Sequence, residues 1–338
     1  MQAQRDQRVE PVSYRREETI MTSSLTRRHF LKAGLGVAGV LAAPGLMANA
    51  MTGGCNAASG RPYGVQMYML RDMFAKDPAG TIKKLAAAGF KQLEMFGVGG
   101  SVNAEGAPLF GLSIDDMADL MAEYKLTVPS VHINSDLEDI EYIKELGSKL
   151  NIDYFIEPMA GEFLNFKDGK VNLNTPSSVD EVKAIAARLN KRGQTMKDLG
   201  FKFAYHNHNF EFDKVDGQVI FDIMMENTDP ELVKIELDLG WVAAAGHDPV
   251  AMLNKYKGRV IGCHMKDYDG SVPLSDDPRM IIPEMSRIST PGDGKSDFAA
   301  IVKHLNENNV KYRYVEVDVT DTPFEDAVRG LCHLSALG

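Results

Sequence analysis

The sequence predicts an α/β protein built as a single (β/α)8 barrel, and three observations support this prediction. From Arg61 onward, short apolar runs rich in β-branched and aromatic residues alternate with amphipathic stretches, the pattern of parallel strands joined by helices. Eight such units occupy about 275 residues, the usual size of a closed barrel. No G-x-G-x-x-G run follows the first predicted strand, which argues against an open dinucleotide-binding sheet.

Each unit pairs one predicted strand with one predicted helix. The predicted strands are residues 63–69, 91–96, 128–133, 154–159, 201–207, 233–238, 260–265 and 312–318. The predicted helices are residues 78–88, 114–124, 136–149, 178–199, 219–226, 248–256, 297–308 and 324–335. The helix 178–199 shows the helical period well, since Val182, Ile185 and Leu189 recur at three- and four-residue spacing. Ser177 precedes it as the expected N-cap.

Two of the predicted connections are long, residues 97–112 and residues 267–296. The first is rich in glycine and the second in proline, and both follow strand ends, the side on which barrel active sites are built. We expect either a lid and a substrate wall or surface loops without a role in binding.

The N-terminal 50 residues predict an export signal and not a part of the barrel. Arg27 and Arg28 precede an apolar run at 33–43 and a small-residue box at 48–50, which is the order of a secretory signal. The run has eleven residues, against the roughly 20 that span a bilayer, so we expect no stable membrane insertion. The paired arginines resemble a twin-arginine signal, which the twin-arginine export machinery recognises.

The predicted organisation therefore has three parts. Residues 1–50 form an N-terminal extension and twin-arginine signal cleaved near Ala50, residues 51–62 form a short linker, and residues 63–338 form the barrel. We expect the cleaved protein in the periplasm. A poor match to a lipidation signal precedes Cys55, so a lipid anchor there is the less favoured alternative.

Charge and cysteine content narrow the classes of function. The chain has 37 basic and 47 acidic residues, a formal net charge of −10, and so acidic a surface repels phosphate backbones. We therefore expect neither nucleic acid nor an anionic membrane as a partner. The three cysteines, Cys55, Cys263 and Cys332, have no C-x-x-C spacing, so the sequence predicts neither a zinc knuckle nor a disulfide framework.

Charged and polar residues stand at the ends of the predicted strands, where a buried strand is usually apolar. Four of these residues come from successive strands and should converge on one point: His206, Asp238, His264 and Glu316. Imidazole and carboxylate groups together suit Mn²⁺, Zn²⁺, Co²⁺, Fe²⁺ or Mg²⁺. The alternative is a set of hydrogen-bonded polar residues in the core.

Six motifs carry a resemblance to a known family: YGVQMYMLRD, YHNHNFEF, ELDLGWVAAAGHDPV, HMKD, PGDGKSDF and YVEVD. They resemble the xylose isomerase-like TIM-barrel superfamily, the sugar-phosphate isomerase/epimerase group that also contains inosose dehydratases and endonuclease IV-like repair enzymes. The resemblance implies one divalent metal ion, held here by His206, Asp238, His264 and Glu316. Ketose epimerases usually have Glu on strand five, so their acid/base pair is incomplete in this chain, and Glu157 is a candidate replacement.

Such a metal implies proton chemistry on a sugar. A divalent ion chelated by a carbonyl and a neighbouring hydroxyl acidifies the adjacent C–H by stabilising an enediolate, and a positioned carboxylate or imidazole moves the proton. Reprotonation gives isomerisation or epimerisation, whereas expulsion of a β-leaving group gives elimination, and the residues leave both open. We expect Glu316 to act as base as well as ligand, with His208 or Glu157 as its partner. The predicted substrate-binding residues are Lys266, His132, Arg71, Trp241 and Tyr68.

Export changes the expected substrate. Because sugar phosphates are largely confined to the cytosol, we expect an unphosphorylated sugar or keto-sugar as substrate. Exported members of the superfamily are associated with 3-keto-glycosides, so a lyase or hydrolase that eliminates the aglycone is the first alternative. A non-catalytic periplasmic sugar-binding barrel is the second, and a homo-oligomer is left open. The acidic charge disfavours a DNA-repair endonuclease.

Overall fold

The computed structural model describes residue 55 and residues 61–98, 109–134, 139–167, 170–270 and 285–338. The predicted signal at 1–50, most of the predicted linker and much of each long connection lie outside these described residues. Within the described ranges, no helix is both long enough and apolar enough to cross a membrane.

Eight parallel strands close into a barrel, which confirms the predicted fold. In chain order they are β1 (Gly64–Gln66), β2 (Gln92–Val98), β3 (Thr127–Ile133), β4 (Tyr154–Glu157), β5 (Lys202–His206), β6 (Lys234–Asp238), β7 (Val260–Met265) and β8 (Tyr312–Val315). Each strand pairs with its neighbours in sequence, and β8 pairs with β1 to close the ring. Strand β1 is shorter than predicted because a 3-10 turn begins at Met67.

Helices follow the strands. They are α1 (Arg71–Lys76), α2 (Pro78–Ala88), α3 (Ile114–Tyr124), α4 (Ile140–Leu150), α5 (Val179–Asp198), α6 (Ile220–Glu226), α7 (Leu239–Ala244), α8 (Pro249–Lys255), α9 (Phe298–Glu307) and α10 (Pro323–Ala336). The sequence predicts all of these except the short helices α1 and α7. Helix α7 starts directly after β6 because the Asp238 carboxylate accepts a hydrogen bond from Trp241 N at 2.9 Å. The N-cap of α5 is Ser178 and not Ser177.

One carboxylate holds the connection that follows β7. Asp267 Oδ1 accepts hydrogen bonds from the backbone of Tyr268 and Ser296, and Asp267 Oδ2 accepts from the backbone of Gly292 and Gly294, all at 2.8–3.0 Å. A Cβ atom on Gly294 would lie only 2.4 Å from Asp267 Oδ1. The glycines of the PGDGKSDF motif therefore allow this loop to wrap the carboxylate, a structural role.

The barrel interior is apolar toward the amino ends of its strands. Five buried residues form a cluster separate from the core that lies between strands and helices, and we call this cluster the interior plug: Tyr154, Ile156, Ala204, Tyr312 and Tyr314. Because side chains alternate along a strand, the residues two positions further on point into the same interior. On β5 and after β8 these next residues are His206 and Glu316, so the interior changes from apolar to ionisable along its axis.

A disulfide links Cys55 to Cys332 of α10, with their Cα atoms 5.1 Å apart. The cysteine spacing suggests no disulfide framework, and this single bond is one that the sequence analysis did not predict. The partners are 277 residues apart in the chain, so local spacing carries no signal for them. Cys263 is buried and free.

Candidate metal centre

The four residues predicted to converge lie together at the carboxyl ends of β5 to β8, and all are buried. His264 Nδ1 lies 2.6 Å from Glu316 Oε2 and 3.9 Å from Asp238 Oδ2. His206 Nε2 lies 3.6 Å from the same Asp238 oxygen. Parallel strands ending on one rim thus bring groups that are far apart in sequence to one place.

The atoms of this group fit a divalent cation. One donor atom from each of Asp238, His264 and Glu316 lies within 4.8 Å of the other two. Asp238 Oδ2, His264 Nδ1 and Glu316 Oε2 are buried, yet none makes a hydrogen bond of good geometry. Buried polar atoms normally find such partners. Buried oxygen and nitrogen atoms that lie this close together without such partners are suited to bind a shared cation. Because the set contains both oxygen and nitrogen ligands, several divalent metals fit it.

Lys266 lies inside the same group. Its ammonium is 3.0 Å from Asp238 Oδ2, 3.0 Å from Glu316 Oε2 and 2.9 Å from Asp318 Oδ1. Burial alone would lower the pKa of Lys266, but the three carboxylates outweigh it and hold that pKa well above its ordinary value. The ammonium therefore neutralises two of the predicted metal ligands in the metal-free protein.

The same charges keep Glu316 ionised. Burial acts to raise the pKa of Glu316, but Lys266 and His264 outweigh it and hold that pKa below its ordinary value. A carboxylate with a lowered pKa is a good ligand and a weak base. Glu316 is therefore poorly suited to the role of general base that the sequence predicts for it.

Three further buried ionisable residues lie beside the rings of His206 and His264, and we call them the inner acid cluster: Glu94, His132 and Glu236. Glu236 Oε2 is 2.8 Å from His132 Nε2 and 3.2 Å from both His206 Nδ1 and His264 Nε2. Burial would raise the pKa of Glu236, but the facing imidazoles hold it below its ordinary value. His132, predicted to contact substrate, instead directs Nε2 at this carboxylate.

Glu94 is held firmly within the inner acid cluster. Its Oε2 accepts a hydrogen bond from Gln66 Nε2 at 2.8 Å and lies 2.6 Å from His264 Nε2. Its Oε1 is hydrogen bonded to the Ser130 hydroxyl. Burial and the neighbouring charge of Glu236 raise the pKa of Glu94. The sequence places Glu94 and Glu236 at strand ends, and Glu236 stands two residues before Asp238, but strand position alone does not show what either residue touches.

His208 and Trp241 lie beside the donors. Burial, and next the charge of Lys266, lower the pKa of His208 to about 3, so its ring is neutral near pH 7. The ring of Trp241 is 6.0 Å from that of His208 and is completely buried. It therefore presents no exposed face for a sugar, contrary to the predicted stacking role.

Tyr68 and Arg71 are half-buried next to Asp318. The Arg71 guanidinium donates to the carbonyls of Tyr68 at 2.9 Å and Asp318 at 3.3 Å. It also lies over the Tyr68 ring, 4.3 Å from its centre. Burial raises the pKa of Asp318 despite the adjacent Lys266. Asp318 stands two residues after Glu316 in YVEVD, and the carboxylates of both residues contact Lys266.

Glu157 lies away from the convergent donors. Ile156 of the same strand belongs to the interior plug, so the next residue points to the opposite face, toward α5. There both carboxylate oxygens bind the guanidinium of Arg188, at 2.7 Å and 3.1 Å. The suggestion that Glu157 replaces the missing strand-five carboxylate is therefore not supported.

Comparisons with known proteins agree with the observed fold. A family model described as the xylose isomerase-like TIM barrel matches residues 82–334. An inosose dehydratase of Clostridium beijerinckii is 32% identical over 158 residues, which cover 44% of this chain and 52% of that protein. The chain thus spans about half the length of the curated relatives it matches.

Solved structures show the same fold. A sugar phosphate isomerase/epimerase from Parabacteroides distasonis superposes with a TM-score of 0.65 at 23% identity, covering 83% of this chain and 96% of that one. The IolI protein with a bound zinc atom superposes with a TM-score of 0.54 at 13% identity, covering 81% of this chain and 96% of that one. Because the family model matches most of the chain, this protein belongs to the xylose isomerase-like TIM barrel family.

Proposed function

We propose that this protein is an exported, divalent-metal-dependent enzyme of the sugar isomerase/epimerase type. It would move the proton on the carbon beside a carbonyl group of an unphosphorylated sugar or keto-sugar. The observation that carries the proposal is the group Asp238, His264 and Glu316, whose buried donor atoms crowd together without hydrogen bonds of good geometry.

Each part of the site has a task in this proposal. A divalent cation held by His206, Asp238, His264 and Glu316 would supply the positive charge that draws electrons from a carbonyl and acidifies the adjacent C–H. Lys266 helps to keep Glu316 ionised and so ready to act as a ligand. At Asp238, burial raises the pKa and Lys266 opposes that rise. This assignment leaves the proton transfer to other groups.

One group beside the metal-binding atoms is suited to carry the proton. Asp318 lies against Lys266 and has one buried oxygen, Oδ2, without a hydrogen bond of good geometry, and burial raises its pKa to about 6. His208, with a pKa lowered to about 3, is a weak base like Glu316 and would contact the substrate as a neutral imidazole. Asp318 would therefore remove the proton from the carbon beside the carbonyl and return it.

Elimination is the second candidate, and the curated relatives favour it. Their name, inosose dehydratase, describes loss of water from a keto-cyclitol. In that reaction the base takes the proton beside the carbonyl, the C–H electron pair becomes a C=C bond, and the leaving group departs with its bonding electrons and a proton from the acid. Loss of the aglycone from a 3-keto-glycoside would involve the same movement of protons and electrons.

Export is part of the proposal. The paired arginines and the apolar run at 33–43 support it. The Cys55–Cys332 disulfide also supports it, because disulfides persist in oxidising compartments such as the periplasm. Changing Arg27 and Arg28 together to lysine should leave the full-length chain in the cytosolic fraction. Unchanged secretion would contradict the twin-arginine route.

Proton NMR in D₂O tests the reaction. The Zn²⁺- or Mg²⁺-loaded protein is incubated with a 3-keto-glucoside, an inosose and simple ketoses, with the variant His264→Ala as the matched control. Deuterium entering beside the carbonyl with all other bonds intact would establish isomerase or epimerase activity. Loss of water or aglycone would establish a lyase. If no compound changes but one binds equally well to both proteins, the sugar-binding barrel becomes the better description.

A further inference from the structure

Each of the two imidazoles in the candidate metal centre has acidic groups on both sides. His264 directs Nδ1 at Asp238 and Glu316. Its other nitrogen, Nε2, lies 2.6 Å from Glu94 and 3.2 Å from Glu236, so Glu94 is the nearer acceptor. His206 directs Nε2 at Asp238 and Nδ1 at Glu236. An imidazole that binds a metal through one nitrogen keeps its proton on the other, and that proton needs an acceptor.

We propose that Glu94 is a positioning residue that holds the proton on His264 Nε2 and so leaves Nδ1 as the metal-facing nitrogen. This inference rests on the proposed metal-dependent function. Its basis is a short contact between two buried groups on strands β2 and β7, which are not neighbours in the barrel. Glu94 touches no other predicted metal ligand at hydrogen-bond distance within the described residues.

The hydrogen bonds around Glu94 support this positioning role. Gln66 binds the oxygen that faces His264, and Ser130 binds the other oxygen, so the carboxylate is held from two sides before any metal binds. The Ser130 hydroxyl is in turn hydrogen bonded to Tyr314 of the interior plug at 2.7 Å. A chain of hydrogen bonds thereby connects the His264 ring to the interior plug.

A competing arrangement uses the same imidazoles differently. His132, His206, Glu236 and His264 also bring donor atoms within 4.8 Å of one another. A cation placed there would bind His264 through Nε2 and His206 through Nδ1, and would displace the proton whose hydrogen bond Glu94 accepts. Both places cannot be filled unless each ring loses both protons, so the two arrangements exclude each other and can be told apart.

The decisive measurement needs no variant. The full protein labelled with ¹⁵N-histidine is loaded with ¹¹³Cd²⁺, and cadmium–nitrogen couplings identify the bound nitrogen of each ring. We expect cadmium coupling at His264 Nδ1 and a retained proton at His264 Nε2. Coupling at His264 Nε2 would overturn the inference while leaving a metal enzyme. Absence of coupling at every histidine would overturn the proposed metal site itself.

A charge-removing variant adds a second test. Glu94→Gln keeps the shape of the side chain, and we expect it to weaken Zn²⁺ binding by about 10- to 100-fold, measured by competition with a chromogenic chelator. Glu157→Gln is the matched control, since Glu157 is also completely buried at a strand end but binds Arg188; its Zn²⁺ affinity should stay within about twofold. Wild-type affinity in folded Glu94→Gln would contradict the positioning role.

Discussion

The two ends of the barrel interior are built from the same strands but follow opposite rules. Toward the amino ends, the interior plug is apolar or aromatic, and the hydroxyls of Tyr312 and Tyr314 have partners in Asp153 and Ser130. Toward the carboxyl ends, buried imidazoles and carboxylates hold several atoms without good hydrogen bonds. Packing stabilises the first end. At the second end, the cost of burying charged groups must be offset by Lys266, by the pairing of opposite charges or by a bound cation.

This contrast separates what holds the barrel together from what gives it chemistry. Two residues along the chain, the interior changes from Ala204 to His206 on β5, and from Tyr314 on β8 to Glu316 just after it. Changes in the plug should therefore alter stability and leave ligand binding intact. Changes among the donors should do the reverse, and the following predictions test that division.

The largest effect is expected from His264→Ala. The substitution removes an imidazole that faces Asp238, Glu316 and Glu94. Divalent-metal affinity, measured by chelator competition, should fall by more than about a hundredfold, beyond the loss typical of a partner that only orients a ligand. Affinity close to that of the wild type would remove the basis for a metal centre here.

The opposite result is expected from Ile156→Ala in the interior plug. Ile156 is completely buried, so the cavity should lower the free energy of unfolding by about 2–5 kcal/mol, measured by urea denaturation of the metal-free protein. Metal affinity should stay within about twofold of the wild type. A parallel loss of affinity would show that the two ends are not independent.

A pH-dependent effect is expected from Glu211, which accepts hydrogen bonds from Tyr205 Oη and His208 N. Burial raises its pKa to about 7, from an ordinary 4.5. The folded state therefore binds this proton more tightly than the unfolded state. The resulting stabilisation is complete below pH 4.5 and is lost as the pH rises through 7.

Glu211→Gln carries no proton to lose. From pH 5 to 8 its free energy of unfolding should change by less than that of the wild type, and the difference should not exceed about 3 kcal/mol. Ile156→Ala serves as the control, since its curve should run parallel to that of the wild type. Identical slopes for wild type and Glu211→Gln would show that Glu211 is ionised throughout.

The smallest effect is expected at the boundary between the two ends. Tyr314→Phe removes only the hydroxyl that is hydrogen bonded to Ser130. Stability should fall by about 1 kcal/mol, because Ser130 keeps its bond to Glu94. Zn²⁺ affinity should be nearly unchanged, and a drop of tenfold or more would move the boundary of the metal centre into the plug.

The sequence predicts most of the fold because strand and helix periods are local properties. Eight strands and the principal helices follow from the positions of apolar residues, and the convergence of His206, Asp238, His264 and Glu316 follows from barrel geometry. Helix α7 is missed because it depends on the Asp238 carboxylate, which caps it. The sequence does not mark that carboxylate as a cap.

The errors at the site have a different origin. Glu157 comes one residue after Ile156, which faces the barrel interior. Because successive strand residues point to opposite faces, Glu157 faces away from the interior. The roles of Glu94 and Glu236 depend on which imidazole nitrogen each one meets across the barrel. These contacts join residues of different strands across the barrel, so the spacing of residues along the sequence does not reveal them.

The Cys55–Cys332 bond has a consequence for the covalent topology of the molecule. It makes residues 55–332 a closed covalent ring that contains every strand of the barrel. A single peptide cut anywhere inside that ring opens it without releasing a fragment. A nicked molecule would therefore migrate as one species until a reductant separates its two pieces.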